Sequence, residues 1–218
     1  MLKTYLPSSL NTWTAISMMV LISLSLYYVF FIVLTLYVGL YIFFRKKIQT
    51  LSEHVSSDGI PILAPVNGKI IHVERNVSHG IFGEKLTEIQ ILIPWWSEFG
   101  IFLPLHAEVK NIILHKGRSF FRYQKAFEKV GANIGRGISL SLEHGVQIIG
   151  LTFYKCKLGM TPELIVQAGD IGRPGVNIGY FPLGGTLVMY LPAQFEIMCV
   201  VDQKIDAQVS VLANKQLS

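Results

Sequence analysis

The stretch Ile138-Ser-Leu-Ser-Leu-Glu143, His144-Gly145, Val146-Gln-Ile-Ile-Gly-Leu-Thr-Phe153 decides the fold class. Apolar and polar residues alternate cleanly over its first six positions. A period of two is the mark of a half-buried β-strand. His144-Gly145 then turns the chain, and Val146 to Phe153 runs back as the second arm of a hairpin. Strand patterns with turn signals between them continue on both sides. Upstream lie Lys69 to Glu74 and the run Glu88 to Ile93, which ends at Pro94. Downstream lie Glu163–Val166, Val176–Phe181, Leu187–Leu191 and Glu196–Val200, separated by Gly and Pro. Only Tyr123 to Lys129 reads as locally helical. The expectation is a mainly β domain over residues 61–218, with residues 48–60 as a polar linker.

The other end of the chain is different. The 218 residues are 51% hydrophobic and only 15% charged, with a net charge of +5 and a pI near 9.2. Globular chains carry about 25% charged residues. The deficit has a location, because only Lys3 is charged before Arg45. Trp13 to Phe44 is a mostly apolar run of 32 residues. A bilayer core takes about 20 helical residues, so this run is long for one span and short for two. Two readings stay open, one long tilted transmembrane helix or a tight pair of short ones. The run exceeds the 7–15 apolar residues of a signal peptide, roughly, and no small-residue cleavage pattern follows. Arg45-Lys46-Lys47 closes it, and the positive-inside rule puts that end in the cytoplasm. Residues 1–47 therefore read as a membrane anchor of a cell inner or plasma membrane, with the β domain on the cytoplasmic side.

Several chemistries are excluded by their missing spacing. The chain has no Gly-rich phosphate loop, His-Glu-x-x-His, Cys-x-x-Cys or Gly-x-Ser-x-Gly motif. Two cysteines, Cys156 and Cys199, cannot make a disulfide framework or a four-thiolate zinc site. The six histidines are scattered, and His106 alone is kept as a candidate. Trp95-Trp96 reads either as an interfacial anchor or as a core or substrate-wall pair. Basic residues are dispersed and not interleaved with aromatics, so nucleic acid is not an expected partner.

Several segments form an ordered set. Phe43-Phe44-Arg45 ends the apolar run. Ala64-Pro65-Val66-Asn67-Gly68-Lys69-Ile70 leads into a strand. It is loosely echoed by Ala168-Gly169-Asp170 with Gly175 and Ile178-Gly179, and both look like strand-turn units of lipoyl-like sandwich barrels. Ile101-Phe102-Leu103-Pro104-Leu105 precedes His106-Ala107-Glu108. Leu183-Gly184-Gly185-Thr186 precedes an apolar strand ending at Pro192. Taken in order, these segments resemble the phosphatidylserine decarboxylases, in their short bacterial and archaeal type with an N-terminal membrane segment. The resemblance implies a lipoyl-like sandwich barrel behind the anchor, phospholipid metabolism as the setting, and a membrane phospholipid as partner. A homodimer or an active paralogue is a further implied partner.

The resemblance also implies a lyase chemistry that depends on one serine. In the family that serine cleaves the chain and becomes a pyruvoyl group, which accepts the substrate amine. Gly185 stands at that position here, and glycine has no hydroxyl. Thr186 is no substitute, because the family carries a threonine there beside its serine. Gly184, Gly185 and Thr186 thus read as the remnant of a processing site. Asn67 stands where the family has Asp. The family's Asp-x-His appears as His106-Ala107-Glu108, and a one-residue gap would instead place His106 on the histidine column. Asn67, His106, Glu108 and Gly185 are therefore degenerate catalytic positions, and no metal or pyruvoyl cofactor is expected. The expected function is that of a membrane-anchored, decarboxylase-like pseudoenzyme that binds lipid or partners an active enzyme. The alternatives are an active decarboxylase making phosphatidylethanolamine, and a membrane-fusion or transport adaptor with a lipoyl-like domain. For the glycine pair, two readings stay open. They provide a tight turn with positive φ, or Gly185 leaves room for a bound headgroup.

Overall fold

The computed structural model describes residues 8–23, 26–43, 60–95, 97, 99–116, 137–155 and 160–215. The basic flank 45–47, nearly all of the expected linker, the local helix expected at 123–129, Trp96 and Cys156 lie outside them. The chain divides into two units, Met1–Gln49 and Thr50–Ser218.

The first unit holds α1 (Ser8–Ser23) and α2 (Tyr27–Phe43). Neither helix contains a charged residue. Their hydroxyls are satisfied internally, since Ser23 Oγ donates to the Met19 carbonyl at 2.9 Å and Thr35 Oγ1 to that of Phe31 at 2.8 Å. The helices touch one another. Half-buried residues recur at helical spacing, Thr14, Met18 and Leu21 on α1 and Phe30, Val33, Leu34, Tyr37 and Tyr41 on α2. Large apolar side chains elsewhere on them, such as Met19, Tyr28, Phe31 and Ile32, are exposed. Of the two expected arrangements, the structure has two helices. They have 16 and 17 residues, or about 24–26 Å at 1.5 Å per residue. No described helix is long and apolar enough to cross a membrane.

The second unit is mainly β. Its strands are β1 (Ile60–Leu63), β2 (Gly68–His79), β3 (Gly83–Ile93), β4 (Gly100–Phe102), β5 (Ala107–His115), β6 (Gly137–His144) and β7 (Gln147–Lys155). After these come β8 (Glu163–Leu164), β9 (Ile171–Gly172), β10 (Asn177–Tyr180), β11 (Gly185–Pro192), β12 (Phe195–Ile197), β13 (Lys204–Ile205) and β14 (Val211–Lys215). They form an eight-stranded sheet in the order β13-β2-β3-β11-β7-β6-β5-β9 and two three-stranded sheets, β1-β14-β12 and β4-β10-β8. The arrangement is consistent with a β sandwich, and its main core is built from the inner faces: Ile89, Ile91 and Ile93 of β3, Leu187, Met189 and Leu191 of β11, and Ile149, Leu151 and Phe153 of β7. Ile62, Ile101, Ile178 and Leu212 from the smaller sheets join the same cluster.

The hairpin at 138–153 forms, but its turn falls on Gly145-Val146 and not on His144-Gly145, with Ile138 opposite Phe153 and His144 opposite Gln147. It is more buried than alternation predicts, because Ser139 and Ser141 on its second face are also covered. That face carries a second cluster of Phe82, Leu86, Tyr154, Val188 and Tyr190. A long strand that the pattern missed is β5. Its pairing with β6 shifts between Val109 and Asn111, and such a bulge breaks the period on which recognition depends.

Candidate functional site

Gly185 is the first residue of β11, a strand paired on both sides. It lies opposite Ile93 of β3 and Lys155 of β7. The turn before it is tight, with Leu183 at φ 60° and Gly184 at φ 72°. Left-handed φ in a leucine is held only where its surroundings enforce it. The positive-φ expectation therefore holds for Gly184, whereas Gly185 is extended strand, and the second left-handed residue is Leu183. Neither glycine has room for a side chain. A Cβ on Gly184 would meet the Ile93 carbonyl oxygen. A Cβ on Gly185 would meet Phe181 Cζ and lie 2.5 Å from the Tyr154 carbonyl oxygen. The space directly beside Gly185 is taken by the Phe181 ring and the Tyr154 carbonyl. Phe181 is itself fixed, 1% exposed and edge-on to Phe153 at 5.9 Å and 89°. Thr186 is buried in β11 beside this point.

The pyruvoyl group implied by the family resemblance does not fit these residues. The position that would carry it has no side-chain oxygen, and its Cβ volume is occupied by ring and carbonyl atoms.

The other sequence-predicted positions are spread out. Asn67 is half-buried just before β2, and its Oδ1 accepts the Ala207 N–H at 2.6 Å. That bond ties the lead into β2 to the loop after β13, a structural task an amide performs without charge. The His106 side chain is exposed, and its carbonyl accepts from His144 Nδ1 at 2.7 Å. Glu108 lies opposite Glu143 across β5 and β6. Lys110 lies between the two carboxylates, 3.3 Å from Glu108 and 2.6 Å from Glu143. These groups are part-exposed, so the cation offsets like-charge repulsion and adds little more. Glu143 is in turn opposite Ile148 of β7, seven residues from Lys155, the partner of Gly185. Measured along the strands, Glu108 and Gly185 are separated by about 24 Å.

A polar network on the second face of the large sheet was not anticipated. His115 Nε2 and Ser139 Oγ are 2.6 Å apart, and Ser139 Oγ is 2.8 Å from Thr152 Oγ1. Ser139 and Thr152 are at most 1% exposed. Burial lowers the pKa of His115. His79 is lowered too, first by burial and then by the nearby His115. It stacks on Phe82 at 4.6 Å and lies 4.5 Å from the Tyr190 ring. Both imidazoles are therefore held toward the neutral form. The available sequence signal was the alternation itself, which puts Ser139 and Ser141 on one face, but only the fold shows what covers that face. Cys199 is a buried free thiol pushed up to about 11 by burial, and is correspondingly unreactive. Among the described residues no three His, Cys, Asp or Glu side chains are grouped to hold a metal ion.

No known family profile matches the chain. Curated proteins similar to it include a phosphatidylserine decarboxylase proenzyme of Parabacteroides distasonis, 21% identical over 189 residues, covering 86% of this chain and 82% of the relative. A phosphatidylserine decarboxylase proenzyme of Porphyromonas gingivalis is 22% identical over 203 residues, covering 88% of this chain and 89% of the relative. One of Syntrophotalea carbinolica is 24% identical over 183 residues, covering 81% of each. The chain thus bears a distant resemblance to phosphatidylserine decarboxylases over most of its length, as its ordered motifs led us to expect.

Proposed function

We propose that this chain is a phosphatidylserine-decarboxylase-like protein of phospholipid metabolism that neither cleaves itself nor decarboxylates. The observation that carries the reading is Gly185, a side-chain-free residue pinched between β3 and β7 where the family places its pyruvoyl-forming serine. Loss of the electrophile alone removes the chemistry, because the other members of a catalytic unit do little without it. Asn67, committed to the Ala207 N–H, and Lys110-paired Glu108 support the same reading.

On this reading the β unit is a lipoyl-like sandwich barrel held at the cytoplasmic side of the inner or plasma membrane. The support is the uncharged run Trp13 to Phe44, the exposed apolar side chains of α1 and α2, and the Arg45-Lys46-Lys47 flank. Its partners are membrane phospholipid and either a second copy or a catalytically complete relative. The retained scaffold serves lipid binding or pairing.

Intact mass of the purified chain tests the proposal. One species at 24.5 kDa with an ordinary amino terminus is expected. A second, C-terminal fragment split off near Gly184, with an amino terminus reactive toward carbonyl reagents, would instead overturn it in favour of the active decarboxylase.

A further inference from the structure

A cleft of about 520 Å³ opens at the end of the large sheet remote from Gly185. It lies between the distal part of the β2–β3 ribbon and the turn that joins β11 to β12. Arg75, Asn76, Lys85 and Thr87 line it from the ribbon, and Gln194 and Glu196 from the turn and β12. Its donors outnumber its acids. Two permanent cations, two side-chain amides and a hydroxyl face one carboxylate.

The left-handed non-glycine residues of the ribbon are confined to this part of it. The β2–β3 register shifts between Glu74 and Val77, so Arg75 and Asn76 form a bulge. Asn76 takes φ 60° and, across the ribbon, Lys85 takes φ 55°. Asparagine tolerates left-handed φ, but lysine adopts it only where its surroundings hold it there. Bulges of this kind re-aim side chains, and they concentrate beside binding sites. Here both left-handed residues line the same cleft. Thr87 belongs to its floor and is 5% exposed. Among the described residues, Arg75, Lys85 and the Thr87 hydroxyl have no hydrogen-bond or ion-pair partner. Two exposed cations, a bulge and a left-handed lysine thus converge at one point.

We propose that this cleft binds a phosphate group, with the Arg75 guanidinium and Lys85 ammonium contacting its oxygens and Thr87 donating from below. Arginine and lysine together suit a tetrahedral oxyanion, the first as a planar fork and the second as a point charge. The phosphate has two sources, a soluble phosphate or phosphomonoester and the phosphodiester of a lipid headgroup. The proposal is independent of self-cleavage, so neither result decides the other.

The test uses the full chain in dodecyl maltoside, a detergent without phosphate, with calorimetric titration of inorganic phosphate and of glycerophosphoglycerol. Saturable binding of at least one is expected. Arg75→Gln with Lys85→Gln, which keeps much of each stem, should weaken it by at least about tenfold. Thr87→Val should weaken it less, and Lys204→Ala, on β13, should leave it unchanged. Tighter binding of inorganic phosphate identifies a soluble ligand, and tighter binding of the diester identifies a headgroup. The proposal is overturned if neither probe binds saturably below about 10 mM, if the double variant binds like the parent, or if Lys204→Ala weakens binding equally. Circular dichroism and the ligand-free Tm of each variant confirm that binding is compared between folded proteins.

Discussion

The two ends of β3 have opposite designs. At Ile93 the strand runs beside Gly185, and the space is closed by Phe181, Tyr154 and paired backbone. At Thr87 and Lys85, about 20–27 Å away along the strand, the ribbon is bulged and left-handed and borders an open cleft lined by cations. The first end is where the family resemblance places chemistry, and it is packed like a core. The second carries no family motif, and it has the shape and charge of a binding site. Packing density and polar convergence, more than position in a motif, indicate what each end of the sheet can still do.

Removing the plug at the closed end should have the largest effect. Phe181→Ala deletes a fully buried ring against Phe153 and should cost about 3–5 kcal/mol in urea unfolding. A loss under about 1 kcal/mol would mean that this end collapses freely and is not tightly packed. Gly185→Ser comes next. Its Cβ must displace Phe181 or the Tyr154 carbonyl, so a loss of about 1–3 kcal/mol is expected, with the mass rising only by the substitution and no cleavage. Combined with Phe181→Ala, the serine should cost less than it does alone, since the two side chains compete for one space.

A smaller effect separates the second face of the sheet from both ends. His79 and His115 are lowered by burial, whereas an imidazole in the unfolded chain titrates near its ordinary value. Below about pH 6.5 the unfolded chain therefore binds more protons, and stability falls as the pH drops; above that it is fully restored. The loss is bounded at about 1.4 kcal/mol per histidine for each pH unit. Unfolding midpoints between pH 7.5 and 5 check it, and His79→Phe should flatten the dependence. The smallest change is expected at the open cleft. Arg75→Ala and Lys85→Ala should each alter stability by less than about 0.5 kcal/mol, because neither is buried. A large loss would show that the cations support the fold, and would remove the contrast between the ends.

The reading of Ile138 to Phe153 was sufficient for the β class because that hairpin is regular and alternates, although its turn lies one residue later than the pattern placed it. The same method missed β5, whose bulge at Val109–Asn111 interrupts the pattern. The candidate site was legible as a chemical absence, since Gly185 lacks an oxygen in any fold. Its packing was not legible, because Tyr154 and Phe181 are brought to Gly185 by β7 and by the approach to β11. Arg75 and Lys85 are separated by ten positions and look like ordinary surface cations until the ribbon folds back.

By itself, then, the sequence determined a long uncharged run near the amino terminus, a β-rich remainder and a glycine where the family resemblance places a serine, because each is legible from composition, local period or an ordered set of short motifs. Only the tertiary structure decided that the space beside Gly185 is filled, that Ser139, Thr152 and His115 share a buried network, and that the ribbon's far end opens into a cationic cleft. These are consequences of strand pairing and bulges, which bring together residues far apart in the chain, and no local pattern encodes that proximity.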